Sequence, residues 1–245
     1  MVGLTAVVVL VMWPVIAYQP EPAARAALVS DALVRVVKTD SAIGFFPTDT
    51  ARAGGVGFLF FPETLVDPIS YAPLARATAE AGFPTWIMPL SHRGVGGTDD
   101  PVLYTRAEAL LRATGPAGGW VVGGHSHGAG VATRMAATGH GRIAGLVVIG
   151  GSDPKDIDLS PLLIPSAKIV GTRDGVASPD AVRESAMLSP VETVWTWVEG
   201  GNHSAFGWYG FQPGDHRATI SAEEQRAVMI RAVVEALRRA EGWHG

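Results

Sequence analysis

The chain contains no cysteine. That excludes a disulfide framework, a thiolate zinc site, an iron–sulfur cluster and a cysteine nucleophile, so any covalent chemistry has to use a hydroxyl, a carboxylate, an amine or an imidazole. Charge is sparse as well: 17% of the 245 residues are charged, with 19 Lys and Arg against 23 Asp and Glu, and no run of cations occurs. Neutralising phosphates needs clustered cations, so no nucleic-acid partner is expected. Internal repeats and low-complexity blocks are also missing. What is abundant is apolar side chain, 47% of the residues, enough to bury a sizeable core and too much for intrinsic disorder.

One stretch, residues 2–18, carries no charged side chain at all. Its length lies near the lower end of the roughly 17–25 residues that cross a bilayer. It lacks the Lys/Arg-rich start and the clean small-residue cleavage site of a secretory signal. The segment is expected to act as a hydrophobic anchor or signal, through which the protein associates with a membrane or is exported. A first strand or helix buried in a cytoplasmic domain is the alternative. Pro20 and Pro22 disfavour helix, so residues 19–22 read as an extended linker. The expected organisation is an N-terminal segment with linker over residues 1–22 and one domain over residues 23–245.

Within that domain, short β-branched runs alternate with longer Ala/Leu-rich segments. Strands are expected at 33–37, 43–46, 57–61, 85–88, 120–122, 143–149, 168–170 and 194–198. Helical spacing predicts helices at 71–81, 102–113, 129–137, 179–187 and 223–239. Such alternation implies an α/β fold with a mostly parallel central sheet and helices on both faces.

The chemistry concentrates where the strand at 120–122 meets the following helix. Gly124-His125-Ser126-His127-Gly128 is a G-x-S-x-G motif. A serine at a sharp strand-to-helix turn needs small flanking residues so that backbones can approach, and it stands at a helix N-terminus that favours developing negative charge. A serine nucleophile needs a base, and the base needs an orienting carboxylate. Asp174 follows the strand at 168–170, and His203 follows the strand at 194–198 within Gly200-Gly201-Asn202-His203. Loops at the carboxyl ends of adjacent parallel strands face one crevice, so Ser126, Asp174 and His203 can converge there. Asp174 also fits an ordinary Asp-Gly turn, and Asp153 is the reserve carboxylate.

From about residue 34 to about residue 237 the sequence resembles the α/β-hydrolase family, and most closely its compact, lid-poor bacterial members related to dienelactone hydrolases. The elbow carries the resemblance, together with Phe60-Phe61-Pro62-Glu63-Thr64, Ser91-His92-Arg93-Gly94-Val95-Gly96 and Asn202-His203-Ser204-Ala205-Phe206-Gly207. It implies a nucleophile at Ser126, an acid–base at His203 and an orienting carboxylate at Asp174. It also implies an oxyanion hole made by the N–H of His127 and a second donor from Thr64, with Glu63 as the alternate, and a pocket lined by His92, His125, Phe206 and Trp208. Dienelactone hydrolases carry a glutamate in this loop beside a cysteine nucleophile, whereas the elbow here carries Ser126. The Glu63 side chain could equally point to solvent, because an unpaired buried carboxylate is costly.

His125 and His127 form an H-x-H pair, but a zinc site usually needs three protein ligands and the other histidines are scattered, so no metal is expected. Residues 123–130 lack the Lys-Ser/Thr of a nucleotide-binding loop. The reading is a serine hydrolase cleaving an ester-type bond of a small or short-acyl substrate, with no cofactor. A catalytically silent scaffold that binds a ligand or partner is the alternative.

Overall fold

The computed structural model describes residues 18–50, 53–95, 97–139 and 142–243. Eight strands form one sheet in the order β1-β2-β4-β3-β5-β6-β7-β8. They are β1 (Val34–Lys38), β2 (Ile43–Pro47), β3 (Gly57–Phe61), β4 (Thr85–Ile87), β5 (Trp120–His125), β6 (Ile143–Ile149), β7 (Ser166–Gly171) and β8 (Thr193–Val198). Only β2 runs against its neighbours; from β4 to β8 every pairing is parallel. Among the described residues six α-helices accompany them: α1 (Pro22–Ala26), α2 (Ala72–Glu80), α3 (Pro101–Thr114), α4 (His127–Thr138), α5 (Pro179–Glu184) and α6 (Ala222–Glu241).

Successive residues of a strand point to opposite faces, and this divides the core in two. Phe58, Phe60, Val121, Val147 and Ile149 pack with α1, α2 and α6, while Leu59, Phe61, Val122, Leu146 and Val148 pack with α3 and α4. All five residues of β3 are buried, as a parallel strand covered on both faces requires. Each fully buried Phe or Leu there contributes roughly 1.5–3 kcal/mol relative to exposure. The functional consequence is positional: the carboxyl ends of β3, β5, β6, β7 and β8 emerge along one rim.

The expected linker at 19–22 is instead the entry to a helix. Pro22 occupies the first turn of α1, where the N–H it lacks would have had no partner anyway, and Glu21 is the N-cap residue. This region is packed onto the domain: Tyr18 is buried edge-on to Tyr209, and Glu21 pairs with Arg226 of α6 at 2.8 Å. The rest of the apolar segment, residues 2–17, lies outside the described residues. No helix among the described residues is long and apolar enough to cross a membrane.

Helix α6 opens with a reciprocal capping box between Ser221 and Glu224. Ser221→Ala is expected to cost about 1 kcal/mol, seen as a fall in Tm of roughly 2–4 °C in a thermal melt. An unchanged Tm would show that the helix is held by packing alone.

Candidate active site

Strand β5 is extended through Gly123 and Gly124 to His125 by its ladder with β6, so that Ser126 stands at the junction with α4. Ser126 has φ 52° and ψ −115°, a left-handed conformation strained for any residue with a side chain. Its N–H donates to the Ile149 carbonyl at 2.9 Å, which anchors the turn to β6. The two motif glycines are required by contact. A Cβ on Gly124 would run into the Gly128 carbonyl, and one on Gly128 into the carbonyl oxygens of Phe61 and Pro62. Close passage of three backbones thus brings the end of β3 against the start of α4. The Ser126 side chain is half-buried beside a cavity of about 610 Å³ lined by Glu63, Thr64, His127, Arg134 and Asp153 among others.

Asp174 and His203 meet as the loop order implies. His203 Nδ1 lies 2.8 Å from Asp174 Oδ2, and both side chains are fully buried. The other carboxylate oxygen of Asp174 accepts from the N–H groups of Val176 and Ala177, at 2.8 and 2.7 Å, which fixes its plane. The reserve carboxylate, Asp153, lines the cavity and does not bond His203; burial, foremost, raises its pKa.

Glu63 does not point to solvent. It is 6% exposed, and its Oε2 lies 3.3 Å from His203 Nε2. The imidazole is therefore held at both nitrogens by carboxylates, while Ser126 Oγ makes no hydrogen bond among the described residues. Burial pulls the His203 pKa down, but hydrogen bonds and charge from Asp174 and Glu63 outweigh it and raise the value to about 10. The loop carrying Glu63 is braced on each side. The Glu63 N–H donates to Tyr71 Oη at 3.3 Å, and Leu65 N–H donates to the Arg93 carbonyl at 2.7 Å while the Arg93 guanidinium donates back to the Leu65 carbonyl at 2.5 Å.

Of the expected oxyanion donors, the Glu63 N–H is thus engaged by Tyr71, whereas Thr64 and His127 line the cavity beside Ser126. The N–H of His127 occupies the first position of α4, where helices leave donors unpaired. Its ring reaches the Gly97 carbonyl through Nε2 at 3.0 Å.

The expected pocket residues lie elsewhere. His92 is exposed on a turn and lines a separate depression with Ser91 and Asp100. His125 is fully buried under His203, its ring 4.5 Å from the His203 ring and its Nδ1 2.7 Å from Tyr71 Oη. Burial first and the His203 charge second hold His125 well below the usual imidazole pKa, so it is neutral. Phe206 is buried against His125, and Trp208 is covered by the Arg226 guanidinium. These three support the site from beneath and do not face the cavity. The spacing on β5 explains the error for His125: alternate residues face opposite sides of the sheet, so a neighbour of the elbow serine points into the core.

Two further residues, absent from the expected site, hold it together. Asp215 accepts from the N–H groups of Gly175, His203 and Ser204 and from the Ser204 hydroxyl, at 2.7–3.2 Å. Gln225, on α6, accepts from the Asn202 N–H at 2.9 Å and donates to the Asn202 carbonyl at 2.6 Å. Both lie within the span of the family resemblance, but neither carries a motif of its own.

Glu63, His125 and His203 bring three donor groups within 4.8 Å of one another, a set that could hold a cation. Hydrogen bonds already engage both nitrogens of His203 and the Nδ1 of His125.

An elbow serine after β5, an acid after β7 and a histidine after β8 of a mostly parallel sheet agree with one more finding: the model of the alpha/beta hydrolase family matches residues 57–227, from β3 into α6. The chain belongs to the alpha/beta hydrolase family. No curated protein matches it. In this hydrolase the match spans the elbow, the buried His203–Asp174 pair and Glu63 alike. No inserted helical subdomain covers the rim among the described residues of the hydrolase.

Proposed function

We propose that this protein is a serine hydrolase that cleaves an ester-type bond of a small or short-acyl substrate. The observation that carries the reading is Ser126 in its left-handed turn at the N-terminus of α4, on the same rim as the buried His203–Asp174 pair. In the proposed reaction His203 Nε2 takes the Ser126 hydroxyl proton as Oγ bonds to the ester carbonyl carbon. The N–H groups of His127 and Thr64 stabilise the oxyanion. Collapse breaks the carbon–oxygen bond, and His203 returns the proton to the departing alcohol. Water, deprotonated by the same imidazole, then releases the acid and restores Ser126. Asp174 keeps the Nδ1 proton in place throughout.

The cavity of about 610 Å³ and the absence of a covering subdomain among the described residues support a small substrate. Kinship with dienelactone hydrolases is a narrower proposal that rests on the loop motifs around Glu63, Arg93 and His203. A catalytically silent scaffold is the second reading, favoured by the Glu63 contact that occupies His203 Nε2. The test is labelling of the purified protein with a fluorophosphonate, with the adduct located by peptide mass spectrometry. The expected result is one adduct, on Ser126, whose formation requires His203. A folded protein that takes up no label from neutral pH up to about pH 10, where His203 loses its proton, or takes it up at another residue, would remove the serine-hydrolase reading in favour of the scaffold.

A further inference from the structure

A triad histidine needs one carboxylate, and His203 has two. Asp174 holds Nδ1 at 2.8 Å, and Glu63 holds Nε2, the nitrogen that would have to serve Ser126, at 3.3 Å. A neutral imidazole has one N–H and can donate to only one of them; with an ionised carboxylate at each nitrogen, the species that satisfies both is the imidazolium. An imidazolium has no lone pair with which to take a proton from serine.

We propose that Glu63 is a positioning residue that holds His203 in its protonated form, turned to Glu63 in place of Ser126, and thereby sets the pH at which the base becomes available. The proposal rests on the reading of His203 as the base. Its geometric ground is the buried Glu63–His203 pair and the bracing of its loop: Tyr71 holds the Glu63 N–H, Arg93 clasps Leu65, and the Phe61 and Pro62 carbonyls abut Gly128.

The groups facing His203 come from five places. Asp174 lies in the loop after β7, Glu63 in the loop after β3, and His125 at the end of β5, where it is neutral. Asp215 accepts from the His203 backbone N–H at 3.2 Å, and Tyr71, at the start of α2, joins Glu63 to His125. Both Tyr71 and Tyr209 are pushed well above their ordinary pKa, by burial first, so they remain uncharged. Apart from His203 itself, the charge-bearing groups at the ring are therefore the carboxylates of Asp174, Glu63 and Asp215. With the His203 pKa raised to about 10, the ring at neutral pH is chiefly imidazolium.

The experiment compares wild type with Glu63→Gln, which keeps the shape and removes the charge. Two readouts are taken: the His203 ring titration, by nitrogen-15 NMR, and the pH profile of hydrolysis of a short p-nitrophenyl ester. In the wild type the ring is expected to be an imidazolium at pH 7.5 and to lose its proton near pH 10. In Glu63→Gln the ring titration and the acidic limb of kcat are expected to move down by about 1–3 pH units. With KM little changed, kcat at pH 7 then rises about tenfold or more, whereas loss of a merely structural contact would lower it.

A neutral ring at pH 7.5 in the wild type, or equal titration midpoints in the two proteins, overturns the proposal. The wild-type titration needs no variant. Glu63→Asp, which keeps the charge, should leave the midpoint nearer wild type than Gln does. Separate midpoints in proteins that never label at Ser126 would leave the Glu63–His203 coupling standing and remove the hydrolase reading instead.

Discussion

Asp174→Asn is expected to lower kcat for ester hydrolysis about 10⁴-fold, toward the floor set by Ser126→Ala, with the fold retained. The Asp174 oxygen that faces Val176 and Ala177 accepts from two backbone N–H groups. An asparagine must keep its carbonyl there, which turns its NH2 toward His203 Nδ1. That nitrogen then has to accept, and the ring proton moves to Nε2, where Glu63 receives it. The imidazole is left in the wrong tautomer, with nothing to offer the serine hydroxyl. Steady-state kinetics beside a thermal melt would check this, and a loss below about tenfold would break the assignment of Asp174. The contrast with Glu63→Gln is informative: neutralising either of two carboxylates on one ring is expected to move activity in opposite directions.

Gly128→Ala should have the largest effect on stability. The added methyl group would meet the carbonyl oxygens of Phe61 and Pro62, which are backbone atoms at the end of a central strand and cannot swing aside. Overpacking of this kind costs about 3 kcal/mol or more where relaxation is blocked. In a domain of this size that lowers Tm by roughly 6–12 °C. Relaxation, where it occurs, moves the segment from Pro62 to Thr64, so hydrolysis should fall further than stability alone explains. A melt within about 2 °C of wild type would show that the β3 loop yields.

Much of this was readable beforehand, and the failures have physical causes. The fully apolar runs at Gly57–Phe61 and Ile143–Ile149 coincide with β3 and β6 to the residue, because a strand buried on both faces leaves no polar position to blur its ends. The low strand propensity of Gly123, Gly124 and His125 predicts a stop for β5 at Val122; the parallel ladder pairing Gly123 with Val147 and His125 with Ile149 overrides that preference. The start of α4 was expected at Ala129 for the same reason, glycine being a poor helix former. The placement of Ser126, Asp174 and His203 at the ends of their strands is legible because each follows a strand in a glycine-rich loop. The direction of the Glu63 side chain was not, because it depends on Tyr71 and Arg93 gripping the loop from two other elements. Asp215 and Gln225 were hidden for a related reason: their partners are mainly backbone groups, which every residue has.

The Asp215 carboxylate reaches the segment behind Asp174, through Gly175, and the segment bearing His203, through two consecutive N–H groups. Acid and base therefore hang from one knot and cannot drift apart independently; a fluctuation that loosens either loop must untie both. Disturbing that one side chain would therefore disturb the acid and the base together, while the sheet beneath them is held by ladders in which Asp215 takes no part.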